Sequence, residues 1–259
     1  MKSVLRTTIS FGLVNIPVKV YSAAEEKEVE FTLLHDKCKT PLKYKRWCPK
    51  CEEEVAWENT IKGFELTKNE FIPITKEELE SLKLKTVKSI EILKFVEQAD
   101  IDPIYMSNSY YLVPENSEKA YSLFKEVLQL TGKVAIGKVV MRNKEHLVMI
   151  RAFKKGLVMT ILHFASEIRD INSLEELKNL PPVKENELKL AQALVSQLEG
   201  KFNIKEYKDR FKDAVIELIK KKVKGKIEIK KEEEKPIEDL MEALKKSIKV
   251  TKKKKVKSV

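Results

Sequence analysis

The sequence predicts a mainly β fold with added α-helix: an antiparallel core, a small cysteine-rich segment and a helical C-terminal part. Three observations carry this. Residues 134–164 hold three β-branched runs in succession, joined by two short polar links. Residues 4–21 hold another pair of such runs. After Leu180-Pro181-Pro182 the apolar period changes from that of strands to that of helices.

Taken in order, residues 4–11 and 13–21 read as two strands split by Gly12, and Pro17 allows only an edge or bulged strand there. Residues 29–34 read as a short strand, and 55–65 as another with a break at Gly63. Thr75 with Glu78 makes a capping-box pattern that opens a short helix to about Lys83. Residues 86–95 alternate as a strand, Asp102-Pro103 marks a turn, and 109–113 is an aromatic strand stopped by Pro114. Ser117 is placed as the N-cap of a helix over 118–130 with Ala120, Leu123, Phe124, Val127 and Leu128 on one face, closed by Gly132. Residues 134–142, 146–153 and 157–164 form a meander, which curls into a barrel or stacks as a sandwich to remove its edges. Amphipathic helices follow over 186–198 and 204–223. A further helix fits 237–248, and the lysine run at 251–259 reads as disordered.

With 259 residues, 42% hydrophobic and 35% charged, the chain is long enough for a sizeable core and ion-rich at its surface. No apolar run approaches the roughly 20 residues that a bilayer span needs, so no membrane partner is expected. The N-terminal stretch is broken by Thr, Ser, Asn and Pro and reads as strands, not a signal peptide. The net charge of +11 is uneven. From Lys220 onward 16 Lys stand against 7 acidic residues, giving +9; the other 35 basic and 33 acidic residues give +2. A body surface that binds a polyanion must therefore concentrate its charge locally.

All three cysteines fall within residues 35–51. Cys48-Pro49-Lys50-Cys51 is a CxxC knuckle, and His35-Asp36-Lys37-Cys38 supplies a second pair at the same spacing. Together His35, Cys38, Cys48 and Cys51 make a Cys₃His donor set, expected to hold one structural zinc per chain, with Asp36 or water as substitutes for His35. An odd, clustered cysteine count suits a reducing cytoplasm. Between the pairs lies a basic, aromatic loop with Lys39, Lys43, Lys45 and Arg46, which a metal clip would hold rigid against phosphates. Arg6, Lys19, Lys138 and Arg142 sit on strands and are candidates for the same phosphate-binding surface. No catalytic constellation stands out: His146 and His163 lie in strand patterns without a nucleophile nearby, and there is no GxGxxG or GxxxxGK loop.

Several segments, in order over about residues 1–220, resemble the prokaryotic Ku family: RTTISFGLVNIPVKVYSA, LHDKC followed by CPKC, IKGFEL, IDPIYMSNSYYLVP, TGKVAIGKVVMRNKEHLVMIRAF and LHFASEIRD. The resemblance implies a Ku-type antiparallel β-barrel of seven strands over 1–180. A bridge is inserted at about 30–65, a helical dimerisation arm spans 181–224, and a flexible basic tail spans 225–259. It implies a homodimeric ring, without enzymatic activity, that threads double-stranded DNA ends. Such a ring protects the ends and recruits an ATP-dependent DNA ligase for non-homologous end joining, in a cytoplasmic, nucleoid-associated setting. The bridge would hold the basic loop over the duplex. A zinc-ribbon regulator with sequence preference and a zinc hydrolase or deaminase are the competing readings. The first predicts base-edge discrimination, the second an exchangeable metal needed for turnover.

Overall fold

β1 (Leu5–Phe11) and β2 (Val14–Ser22) form the opening hairpin in the computed structural model, which describes residues 2–25, 29–81, 89–142 and 144–223. Gly12 turns it at φ 56°, a left-handed conformation that glycine adopts without steric cost. The register pairs Ile9 with Ile16 and Leu5 with Val20, which puts Ile9, Ile16, Val18 and Val20 on one buried face. β2 is not an edge strand, contrary to what Pro17 suggests. Pro17 stands at the end of the ladder on the far side, just before Val18, and joins it only through its carbonyl, which accepts from the Glu115 N–H at 2.9 Å.

The chain then leaves the barrel. In this excursion lie β3 (Trp47–Cys48), β4 (Glu53–Glu54), β5 (Lys62–Thr67), β6 (Glu70–Ile74) and α1 (Lys76–Ser81). The strand expected at 29–34 does not form; only an isolated bridge joins Leu34 to Pro41. The strand expected at 55–65 is instead a 3₁₀ turn, Trp57–Asn59, followed by β5, with Gly63 inside the β5–β6 hairpin. The Thr75–Glu78 capping box is present in both directions, at 2.8 and 3.1 Å.

The barrel resumes with β7 (Ser89–Glu97) and β8 (Met106–Pro114). After α2 (Glu118–Thr131) it continues with β9 (Lys133–Met141), β10 (Lys144–Phe153) and β11 (Gly156–Leu162). The closed order is β1-β2-β8-β11-β10-β9-β7. Seven strands cannot alternate direction all the way round a ring. One neighbouring pair must be parallel, and it is β1 with β7. Inward-facing residues such as Ile90, Leu112, Ala135, Val139, Val148, Ile150 and Met159 fill the barrel, and α2 adds Tyr121, Phe124 and Leu128 to the same core. The Phe124 ring stacks on Phe11 with centroids 5.0 Å apart. Leu123 and Val127, expected on the buried face of α2, are exposed. The Ser117 hydroxyl does not cap the helix; it donates to the Pro17 carbonyl at 2.8 Å. A second, smaller core lies on the outer face, where Val134, Ile136, Met149 and Leu162 pack with Ile101 and Met106.

The remaining unit, taken by itself, runs from Asp170 and includes residues 29 and 30. Its described part holds 3₁₀ turns, α3 (Glu185–Leu198) and α4 (Arg210–Val223), and neither helix contains a buried residue. The helix expected from residue 204 starts six residues later. Asn203 caps a 3₁₀ turn first, and the Asp209 carboxylate then accepts from the Lys212 N–H at 2.9 Å. The helix expected at 237–248 and the lysine tail lie outside the described residues.

Candidate nucleic-acid interface

None of residues 29–79 whose burial is described is buried. Phe31, Leu33, Tyr44, Trp47, Trp57, Phe64 and Phe71 all lie exposed in this excursion. A segment that buries so little cannot offset its own ordering entropy and must be held by something else.

Two local devices are visible. The His35 N–H donates to the Thr40 carbonyl, and the Lys39 N–H closes a turn onto the His35 carbonyl, with Lys39 at φ 56°. The second device is the β3–β4 pair, Trp47 with Glu54 and Cys48 with Glu53. Each presents one half of the predicted metal site. His35 Nδ1 stands 3.0 Å from Cys38 Sγ. Cys48 accepts hydrogen bonds from the backbone N–H groups of Cys51 and Lys50 and from the Cys51 thiol. These contacts favour thiolate. Hydrogen bonds from Thr40, side chain then backbone, and from His35 lower Cys38 to about 7. The bonds to Cys48 lower it too, while Cys51, as the donor, is raised. Three thiols and an imidazole are the donor chemistry that zinc takes. Among the described residues, however, no three or more His, Cys, Asp or Glu side chains come together as a metal-holding group. The closed Cys₃His cluster expected from the spacing stands in the structure as two separate pairs.

The eight predicted DNA contacts fall into three groups. Arg6 and Lys19 are cross-strand partners whose outward side chains converge on Glu115, at 3.7 and 3.1 Å. Lys138, on the outer face of β9, pairs with Glu145 at 2.9 Å, and Arg142 stands at the β9–β10 turn with φ 52°. In the excursion, Lys39 pairs with Asp36 at 2.8 Å. Lys45 pairs with Glu54, whose carboxylate raises the ammonium's pKa. The Arg46 guanidinium lies 5.1 Å from the Trp57 ring centroid, and its Nε donates to the Val55 carbonyl. Among the described residues Lys43 and Arg142 make no ion pair. The counter-ions Glu54, Glu115 and Glu145, and the Trp57 platform, are absent from the sequence prediction. Only Glu145 and Glu54 carry a sequence signal, as the cross-strand neighbours expected of a hairpin.

Among the described residues no helix is long and apolar enough to cross a membrane. The Ku70/Ku80 beta-barrel domain family matches residues 10–190. The chain is 39% identical over 221 residues to the non-homologous end joining protein Ku of Archaeoglobus fulgidus, covering 85% of this chain and 87% of that one. It is 35% identical over 221 residues to the Bacillus subtilis protein of that name, covering 85% and 71%. The Symbiobacterium thermophilum protein of that name is 38% identical over 222 residues, covering 85% of this chain but 55% of the relative, so this chain spans about half the relative's length. The region matched by the family model contains six of the seven barrel strands whole, the last two residues of β1, and the excursion between β2 and β7. The chain belongs to the Ku family.

Proposed function

We propose that the chain is a non-catalytic DNA-end-binding protein that acts as a homodimeric ring on double-stranded ends and recruits an ATP-dependent DNA ligase for non-homologous end joining. The observation that carries this is the excursion between β2 and β7. It exposes aromatic and basic side chains from a Ku-family barrel and, over those of residues 29–79 whose burial is described, has no buried residue of its own. Such a segment is suited to being covered by a second copy and by DNA. The amphipathic faces of α3 and α4, with Leu188, Val195, Phe211 and Leu218 exposed, support a partner copy in the same way. The cations of the excursion then meet backbone phosphates, which give affinity without sequence reading. One zinc per chain, drawing the His35–Cys38 and Cys48–Cys51 pairs together, would supply the stability that burial does not.

The test is binding to linear duplex, to the same duplex with blocked ends and to covalently closed circles at physiological salt. It is made with the full chain and with a chain ending at residue 224, because the lysine tail adds non-specific attraction. Preference for open ends is expected, most clearly in the shortened chain. Equal affinity for all three substrates in that chain overturns the reading. Discrimination among randomised duplexes of one length would favour the sequence-reading alternative instead.

A further inference from the structure

A second surface on the barrel is built for a different ligand. A groove of about 840 Å³ runs between β8, the start of α2 and the β10–β11 turn. Its walls are apolar and aromatic: Tyr21, Tyr111, Val113, Pro114, Phe153 and Leu157. Tyr111, Val113 and Phe153 are 38%, 42% and 36% exposed, so these side chains are accessible to an incoming partner. Tyr121 fixes its floor, with its hydroxyl donating to the Leu112 carbonyl at 2.6 Å and accepting from the Leu157 N–H at 2.8 Å.

The rim is cationic. Lys154 and Lys155 line the groove, and Arg151 shares the Phe153 ring with Lys154. The Arg151 guanidinium and the Lys154 ammonium lie 5.0 and 5.4 Å from the Phe153 ring centroid. Among the described residues none of these three cations makes an ion pair. By contrast Arg6, Lys19, Lys39, Lys45 and Lys138 each have a carboxylate partner. Glu118 is the one acidic residue in the lining.

From this charge complementarity we infer that the groove docks an acidic peptide segment of a partner protein, with an apolar or aromatic anchor held between Tyr111, Val113 and Phe153. A duplex gains nothing from apolar walls, and base stacking needs a bare ring, whereas Phe153 already has two cations against it. The chain's own tail carries a net +9 from Lys220 onward and is repelled by the same rim. Aromatic anchors in a partly desolvated pocket carry most of the energy in such contacts, and rim charges set selectivity and association rate. The inference does not depend on end binding.

The test is selection of a random twelve-residue displayed peptide library on the full chain, followed by anisotropy with the labelled winners. Enrichment of peptides combining Asp or Glu with an aromatic or large aliphatic residue is expected. Their binding should weaken about tenfold in Lys154→Glu/Lys155→Glu and in Val113→Glu. These substitutions lie on the surface, and duplex binding and thermal midpoint report that the fold is intact. No enrichment, enrichment of basic peptides, or winners that bind the variants unchanged would overturn the inference. So would a single-stranded oligonucleotide whose binding alone is lost in the lysine variant, which would assign the rim to nucleic acid.

Discussion

Gly137 and Glu91 meet across the β7–β9 ladder with no room for a side chain: a Cβ on Gly137 would lie 2.5 Å from the Glu91 carbonyl oxygen and 3.2 Å from Ile92 Cδ1. The ladder shifts register at this point, between Ile92 and Lys94. β7 is also the strand that closes the barrel onto β1. Gly137→Ala must therefore push β7 away from β9 where closure depends on it. A loss of at least about 2 kcal/mol is expected in denaturant titration. Ala at Gly200, where nothing lies within 4 Å, is the control and should change little.

The Tyr121 hydroxyl stitches β8 to β11, taking the Leu157 N–H and giving to the Leu112 carbonyl. Burial raises its pKa, in keeping with a phenol held neutral. Tyr121→Phe keeps the ring and orphans both backbone groups, at an expected cost of roughly 1–3 kcal/mol. A thermal midpoint equal to that of the unaltered chain would show that water replaces the hydroxyl.

Glu167 ties the exit of β11 to the start of β10. It accepts from Lys144 at 2.8 Å and from the Phe164 N–H at 3.0 Å, and it lies 3.6 Å from His163. Chiefly the Lys144 hydrogen bond, then that of Phe164, hold its pKa down to about 2. An unfolded Glu titrates near about 4.3. The carboxylate's contribution to stability is thus complete above that value and is lost as pH falls from there through about 2. Glu167→Gln should lower the thermal midpoint at neutral pH. The gap from the unaltered chain should narrow below about pH 4. A gap constant with pH would show that the charge is not what counts.

The zinc proposal predicts about one zinc per chain by elemental analysis of protein purified without added metal. Cys48→Ser or a strong chelator should remove it and open the excursion to limited proteolysis, while the barrel's thermal transition stays in place. Metal-free protein whose three cysteines all react rapidly with a thiol reagent would instead mean that the two pairs stay apart.

The barrel is legible in the sequence because its strands are apolar, β-branched runs bounded by turn residues. Ile16, Val18 and Val20 alternate with period 2, whereas Val134–Gly137 and Leu157–Thr160, buried on both faces, read as near-continuous runs. The excursion is not legible for the converse reason. β3 and β4 are two residues long, β5 and β6 bury nothing, and no alternation is imposed on them. Candidate cations are legible by type, but their state is not. Glu115 lies far along the chain from Arg6 and Lys19, and only closure of β2 onto β8 brings it to them. Lys154 and Lys155 read as a polar hairpin link, and their relation to the groove depends on α2 packing beside them.

Those counter-ions change what substitutions in the basic loop should do. By charge alone, Lys43, Lys45 and Arg46 would each contribute about one unit to the slope of log binding constant against log salt. Lys45, however, is already paired with Glu54, and Arg46 is held against Trp57, whereas Lys43 makes no ion pair among the described residues. Exchanging one carboxylate for a phosphate releases less counterion than meeting a phosphate with a free ammonium. Lys43→Ala should therefore flatten the slope for duplex binding by about one unit, and Lys45→Ala by clearly less. Glu54→Gln, which frees Lys45, should tighten binding at low salt and steepen the slope. If Glu54→Gln leaves the slope unchanged while Lys43→Ala flattens it, Lys45 points away from the phosphates. If neither has any effect, the loop does not face DNA at all.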